Sequence, residues 1–157
     1  MSDPSIKTVI ALTMGDPAGV GPEICLQALA HTKLVSECIL VIIGDSAVLK
    51  AASIKTGIPF TTNAIPLPDW TVTRFSEHTV VNIGAITVDD FTPGTISGKT
   101  GRAGYNYVNT AIDAGLAGAV DAISTTPLNK EAMRMDGIKF PGHTEILASR
   151  TNAEHSC

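Results

Sequence analysis

Two uninterrupted apolar runs, Val9-Ile-Ala-Leu12 and Ile39-Leu-Val-Ile-Ile43, stand between polar residues and glycine. Neither alternates with polar positions, so both predict strands covered on both faces, as in a parallel sheet. Helical stretches are predicted after each, from Pro22 to His31 and from Ser46 to Thr56 before Gly57. This β–α alternation specifies an α/β fold, a layered α/β/α arrangement around a mostly parallel sheet. Thr71-Val-Thr73 and Thr79-Val-Val-Asn-Ile83 predict further strands, whereas three prolines between Pro59 and Asp69 predict irregular chain. Tyr105, Val108, Ile112 and Leu116 fall at i, i+3, i+7 and i+11, the core face of a helix from Thr100 to about Ala117, with Gly118 to end it. Asp121-Ala-Ile-Ser124 then predicts a strand whose carboxyl end carries Thr125, Thr126 and Pro127.

Both strand-to-helix junctions of interest lie where ligands bind in open α/β sheets, beyond the carboxyl ends of strands. The first reads Met14-Gly-Asp-Pro-Ala-Gly-Val-Gly-Pro-Glu23. Its glycines permit tight backbone approaches, and Pro22 suits the first turn of a helix. Such a loop either faces a ligand or serves its own turn geometry. Its G-x-x-x-G-x-G spacing is neither the dinucleotide fingerprint nor a Walker loop. Pro93-Gly-Thr-Ile-Ser-Gly-Lys-Thr100 only imitates a Walker loop, because Pro93 occupies the position of its first glycine. Asp16 and Glu23 are candidates for ordering polar ligand groups or a ribose, or else for favouring a helix N-terminus.

The second junction places Lys130 after Thr-Thr-Pro-Leu-Asn, where its ammonium could meet a phosphate or carboxylate or simply stay solvated. Further on, Pro141-Gly-His-Thr-Glu145 predicts a turn into a short helix over Glu145 to Arg150, with Thr144 as N-cap. An anion there would meet free amides, a hydroxyl and the His143 imidazole, which can donate from either ring nitrogen. His143 and Thr144 are therefore candidate substrate-binding residues, with a structural role for the histidine as the alternative.

Composition narrows the class of protein. Charged residues make up 17% of the 157 against a typical share of about 25%, and 44% are hydrophobic, so part of the surface expects covering by more chain or by a partner. Net charge is −4 and the eleven Lys and Arg are scattered singly, which sets aside nucleic acid and anionic membranes as partners. The N-terminus lacks the features of a signal peptide and no apolar run reaches about 18 residues, so a cytoplasmic protein is expected. Cys25, Cys38 and Cys157 show no C-x-x-C spacing and predict neither disulfides nor a zinc site; His31, His78 and His155 predict surface histidines.

Three ordered blocks carry a resemblance: Met14 to Glu23, Asp121-Ala-Ile-Ser-Thr-Thr-Pro-Leu-Asn-Lys130, and Phe140-Pro-Gly-His-Thr-Glu145. Together they resemble the 4-hydroxythreonine-4-phosphate dehydrogenase family, including its phosphothreonate and phosphoerythronate dehydrogenase relatives. The likeness runs from Thr8 to about Ser149, about the first half of a typical member. It implies the isocitrate and isopropylmalate dehydrogenase-like fold and a homodimer when complete. It also implies oxidation of the secondary alcohol of a phosphorylated hydroxy acid by NAD to a β-keto acid that can lose CO2. His143 and Thr144 match the substrate-contacting motif. The divalent metal implied (zinc, magnesium or cobalt) is held in that family by three histidines downstream of Gly-His-Thr-Glu. Residues 1–157 are thus expected to be the N-terminal portion of a two-domain dehydrogenase and to be inactive alone. A phosphate acyltransferase-like enzyme and a non-catalytic binding or assembly fragment are the alternatives.

Overall fold

The computed structural model describes residues 7–71 and 74–152. Five parallel strands form one sheet: β1 (Thr8–Thr13), β2 (Cys38–Gly44), β3 (Asn63–Pro66), β4 (Thr79–Asn82) and β5 (Ala122–Thr125), in the order β3-β4-β2-β1-β5. The two apolar runs become β1 and β2, paired in register from Thr8 with Cys38 to Thr13 with Ile43 at the centre of the sheet. Val9, Ala11, Val41, Ile42 and Ile43 are fully buried, as covered strands require.

The helices are α1 (Gly21–Ala30), α2 (Thr32–Glu37), α3 (Ser46–Thr56), α4 (Gly98–Leu116), α5 (Lys130–Met135) and α6 (His143–Thr151). Side-chain alternation along the strands sorts them into layers. Ile10, Leu12, Leu40 and Ser124 face Ile24 and Ala28 of α1 and Leu34 of α2, with α3 packed beside α1. Ile123 points the opposite way, against Gly115 of α4. The chain runs outward from β1 through β2 to β3, then returns over α4 to β5 on the other side of β1. Right-handed crossovers make that reversal a change of face. Loops leaving β1 and β5 consequently diverge to opposite sides and open a crevice between their carboxyl ends, the topological switch point of the sheet.

Helix α4 is the central pillar of its layer. Ala103, Tyr107, Ala111 and Ala114 enter the main core, while Val108 and Ile112 join Met133, Ile138 and Ile146 in a second apolar cluster beneath α5 and α6. Leu116, expected in the core, is 63% exposed, because the last turn runs past the sheet. Gly118 follows in the left-handed region (φ 75) and turns the chain toward β5.

Three further expectations change. The stretch read as irregular contains β3, which tolerates Pro66 because it is an edge strand paired only with β4. Helix α2 was not foreseen; His31 caps it by accepting from the Leu34 amide at 3.2 Å, so this histidine is structural. His78 is structural as well, accepting from the Leu40 amide at 3.0 Å. Of the predicted strand at Thr71-Val-Thr73, Thr71 lies in no strand and the other two residues fall outside the described residues, as do His155 and Cys157. Cys25 and Cys38 are buried free thiols, and burial pushes Cys25 up to about 12, which leaves it inert.

Candidate functional site

The switch point is built by close approaches of the loop after β1 to the segment after β5 and to the end of β1 itself. The Asp16 amide donates to the Pro127 carbonyl at 3.0 Å, which lays the two chains against each other. A Cβ at Gly21 would stand 1.8 Å from the Met14 carbonyl oxygen, so only glycine lets α1 start this close to β1. Gly15, at φ 67, would place a Cβ 2.5 Å from both the Pro127 carbonyl and the Thr126 hydroxyl. The hydroxyls of Thr13 and Thr126 are buried here without a hydrogen-bond partner among the described residues.

Tight packing accounts for the glycines of the loop by its own turn geometry. Two of its amides are satisfied within the loop: Ala18 donates to Asp16 Oδ1 at 2.8 Å and Gly19 donates to the Asp16 carbonyl at 2.9 Å. Asp16 itself is only 5% exposed. The loop also borders open space, a small cavity that Asp16, Ala18 and Gly19 line with Gly94, Thr95 and Asn129. The false Walker segment braces the loop through a 2.7 Å bond from the Gly94 amide to the Ala18 carbonyl, while Lys99 pairs with Asp90 at 2.9 Å. Glu23 lines, with Pro17 and Gly19 of the same loop, a largely apolar cavity of about 200 Å³ whose far side is Val48, Lys55 and Phe91.

His143 is held by the same crevice. Its Nε2 lies 3.1 Å from the Thr126 carbonyl, one residue beyond β5. A carbonyl only accepts, so Nε2 must carry the proton, and in the neutral ring Nδ1 is then an acceptor. Partial burial holds the imidazole below its ordinary value of 6.5, opposed by the bond to Thr126, so the neutral form dominates at pH 7. The expectation that His143 can donate from either nitrogen therefore narrows: one nitrogen is committed to backbone and the other accepts. A neutral acceptor suits a substrate hydroxyl better than a phosphate.

Thr144 is not the N-cap. Helix α6 begins two residues earlier than expected, at His143, with Gly142 in the cap position and no capping side chain, which leaves Thr144 exposed in the first turn. Lys130 opens α5, where the Asn129 side chain caps by accepting from Glu131 and Ala132 at 3.0 Å each. The Lys130 Cε lies 3.7 Å from where a Cβ on Gly142 would stand, so the structure brings Lys130 beside the turn that carries His143 and Thr144.

The implied metal finds no home here. Among the described residues no three His, Cys, Asp or Glu side chains converge as ligands.

The model of the family described as "Pyridoxal phosphate biosynthetic protein PdxA" matches residues 36–157, more than half of the chain. The chain belongs to the PdxA family. A solved 4-hydroxythreonine-4-phosphate dehydrogenase from Burkholderia phymatum superposes with a TM-score of 0.83 at 37% identity, covering 96% of this chain and 46% of that one. A Clostridium botulinum protein described as "Putative D-threonate 4-phosphate dehydrogenase" is 34% identical over 148 residues, 94% of this chain and 44% of that protein. A terephthalate 1,2-cis-dihydrodiol dehydrogenase from Burkholderia xenovorans is more distant, at TM-score 0.66 and 27% identity over 88% of this chain and 40% of that one. The chain thus spans less than half the length of these PdxA relatives. These relatives are named dehydrogenases, which agrees with the enzyme class expected by family, and the superposition bears out the isocitrate dehydrogenase-like α/β fold expected from sequence. Among the described residues no helix is long and apolar enough to cross a membrane.

Proposed function

We propose that this chain forms the substrate-binding portion of a cytoplasmic, homodimeric dehydrogenase. That enzyme oxidises the secondary alcohol of a phosphorylated four-carbon hydroxy acid, of the 4-phosphohydroxythreonine or phosphothreonate type, using NAD and a divalent metal. The β-keto acid formed can lose CO2. One observation of the geometry carries the reading: the bond from His143 to the Thr126 carbonyl fixes a neutral imidazole at the switch point with its second nitrogen left as an acceptor. Names of the relatives supply the substrate class, phosphorylated hydroxy acids in two of the three.

In this reading His143 Nδ1 accepts from a substrate hydroxyl and orients the carbon chain. The Thr144 hydroxyl, exposed in the same turn, adds a second polar contact. Lys130 attracts the anionic end. NAD and metal are contributed by the further sequence that the longer relatives possess, which makes residues 1–157 inactive by themselves.

The test is steady-state NAD reduction with 4-phosphohydroxythreonine and D-threonate 4-phosphate. Residues 1–157 alone should give no turnover. In a full-length version His143→Ala should raise KM about 2- to 13-fold, the worth of one neutral hydrogen bond, and leave NAD affinity unchanged. Wild-type kinetics in that variant, or loss of NAD binding instead, would sink the assignment.

A further inference from the structure

We propose that the cavity between α1 and α3, behind the glycine loop, is a binding site for the zwitterion of a small branched aliphatic α-amino acid. None of its lining residues comes from the segment after β5 or from the turn into α6, so it is separate from the crevice that holds His143.

Shape is the first support. Val48, Ala51, Ala52 and Lys55 fall at i, i+3, i+4 and i+7, so one stripe of α3 lines this space. Val48 roots the stripe in the core, but the two alanines are too short to fill the gap to Pro22 and Phe91 on the other walls. About 200 Å³ is left open. Pockets for drug-sized ligands run to roughly 300–1,000 Å³, so the occupant has a short apolar body. It also rests against the switch point, because Pro17 of the glycine loop lines the cavity and the preceding Asp16 amide holds the Pro127 carbonyl at 3.0 Å.

Charge is the second support. The lining carries one carboxylate and one ammonium, Glu23 and Lys55. Each sits at the helix end that favours its charge, Glu23 in the first turn of α1 and Lys55 in the last turn of α3. Among the described residues no ion pair takes either of them. Other charges nearby in sequence do not alter the balance: Asp90 is taken by Lys99, and neither Asp89 nor Lys50 lines the cavity. Opposite charges on one apolar chamber complement a molecule that joins an ammonium and a carboxylate to an aliphatic side chain. Glu23 accepts from the ammonium, Lys55 donates to the carboxylate, and the side chain fills the space beside the alanines. A fatty acid would leave Glu23 without a donor, and an alkylamine would leave Lys55 without an acceptor.

Calorimetric titration of leucine, isocaproate and isoamylamine into the full chain tests the site. Leucine should bind saturably. Isocaproate, which lacks the ammonium, and isoamylamine, which lacks the carboxylate, should bind about tenfold or more weakly, and Glu23→Gln and Lys55→Gln should each weaken leucine by a similar factor. Ala51→Leu fills the cavity from an exposed helix position with another strong helix former and should abolish binding, with circular dichroism confirming the fold. Absence of saturable leucine binding, or binding that Ala51→Leu leaves unchanged, overturns the site. Isocaproate or isoamylamine binding as tightly as leucine, or leucine affinity unchanged in both Gln variants, overturns the zwitterion. No turnover is read, so the result is independent of the dehydrogenase reading.

Discussion

Tyr107 donates its phenolic hydrogen to Asp45 Oδ2 across 2.7 Å in the buried interior. The same carboxylate accepts from the amides of Gly84, Ala85 and Ile86, so one side chain at the end of β2 ties the connection after β4 to helix α4. Burial and the adjacent Asp45 charge both push the Tyr107 phenol up, which keeps it a donor at any physiological pH. Tyr107→Phe should cost about 1.5–3 kcal/mol, the worth of a hydrogen bond to a charged acceptor. Asp45→Ala should cost more, since it also strands the buried Ile86 amide and frees those of Gly84 and Ala85. Urea denaturation measures both, and a Tyr107→Phe midpoint equal to wild type would show that the bond contributes nothing.

Acid sensitivity should have two separate windows. For His143 the folded value lies below the unfolded 6.5, so the unfolded chain binds more protons in between. Its contribution is complete above about pH 6.5 and is lost as pH falls through the depressed folded value. Asp121, held down to about 2 by Arg74 and the Val9 amide, acts lower: its contribution is complete above 3.8 and fades toward pH 2. Melting temperatures recorded against pH should therefore fall in two steps. His143→Gln should remove the upper step alone, and a variant that keeps that step places it on another group.

Two glycines separate crowding from backbone strain. Gly21→Ala drives a methyl into the Met14 carbonyl oxygen, a rigid neighbour, and should cost about 3 kcal/mol, the upper end of overpacking losses. Gly57→Ala meets nothing within 4 Å but must hold φ 75, for about 1–2 kcal/mol. The order of these losses in a thermal melt is the check, and a reversed order would contradict the close packing at the crevice.

Local patterns told most of this fold and long-range partners the rest. Continuous apolar runs marked β1 and β2 because a covered parallel strand needs no polar face, and Gly57 and Gly118 marked helix ends because left-handed backbone favours glycine. Strand β3 escaped because proline is unfavourable in a central strand but harmless at this edge. At the site, the motif marked His143 as a candidate, but its tautomer depends on the Thr126 carbonyl, 17 residues away. Asp16 gave no hint that it satisfies its own loop. The Asp45–Tyr107 bond spans 62 positions and left no local trace, and only folding brings Glu23 and Lys55 to one cavity.

The edge of the sheet at β5 points to a last measurable property. β5 pairs only with β1, so its outer backbone groups are open, and the adjoining groove of Ile10, Leu12, Ile24, Ala28, Leu34 and Leu40 is apolar. Open parallel edges beside apolar surface recruit further chain. Residues 1–157 should consequently self-associate at tens of micromolar and bind a hydrophobic dye. Ser124→Lys puts a charge on β5 beside the groove and should reduce both effects without lowering the melting temperature, because Ser124 is exposed. Light scattering decides it: a wild-type chain that stays monomeric and dye-free would show that this edge is already protected.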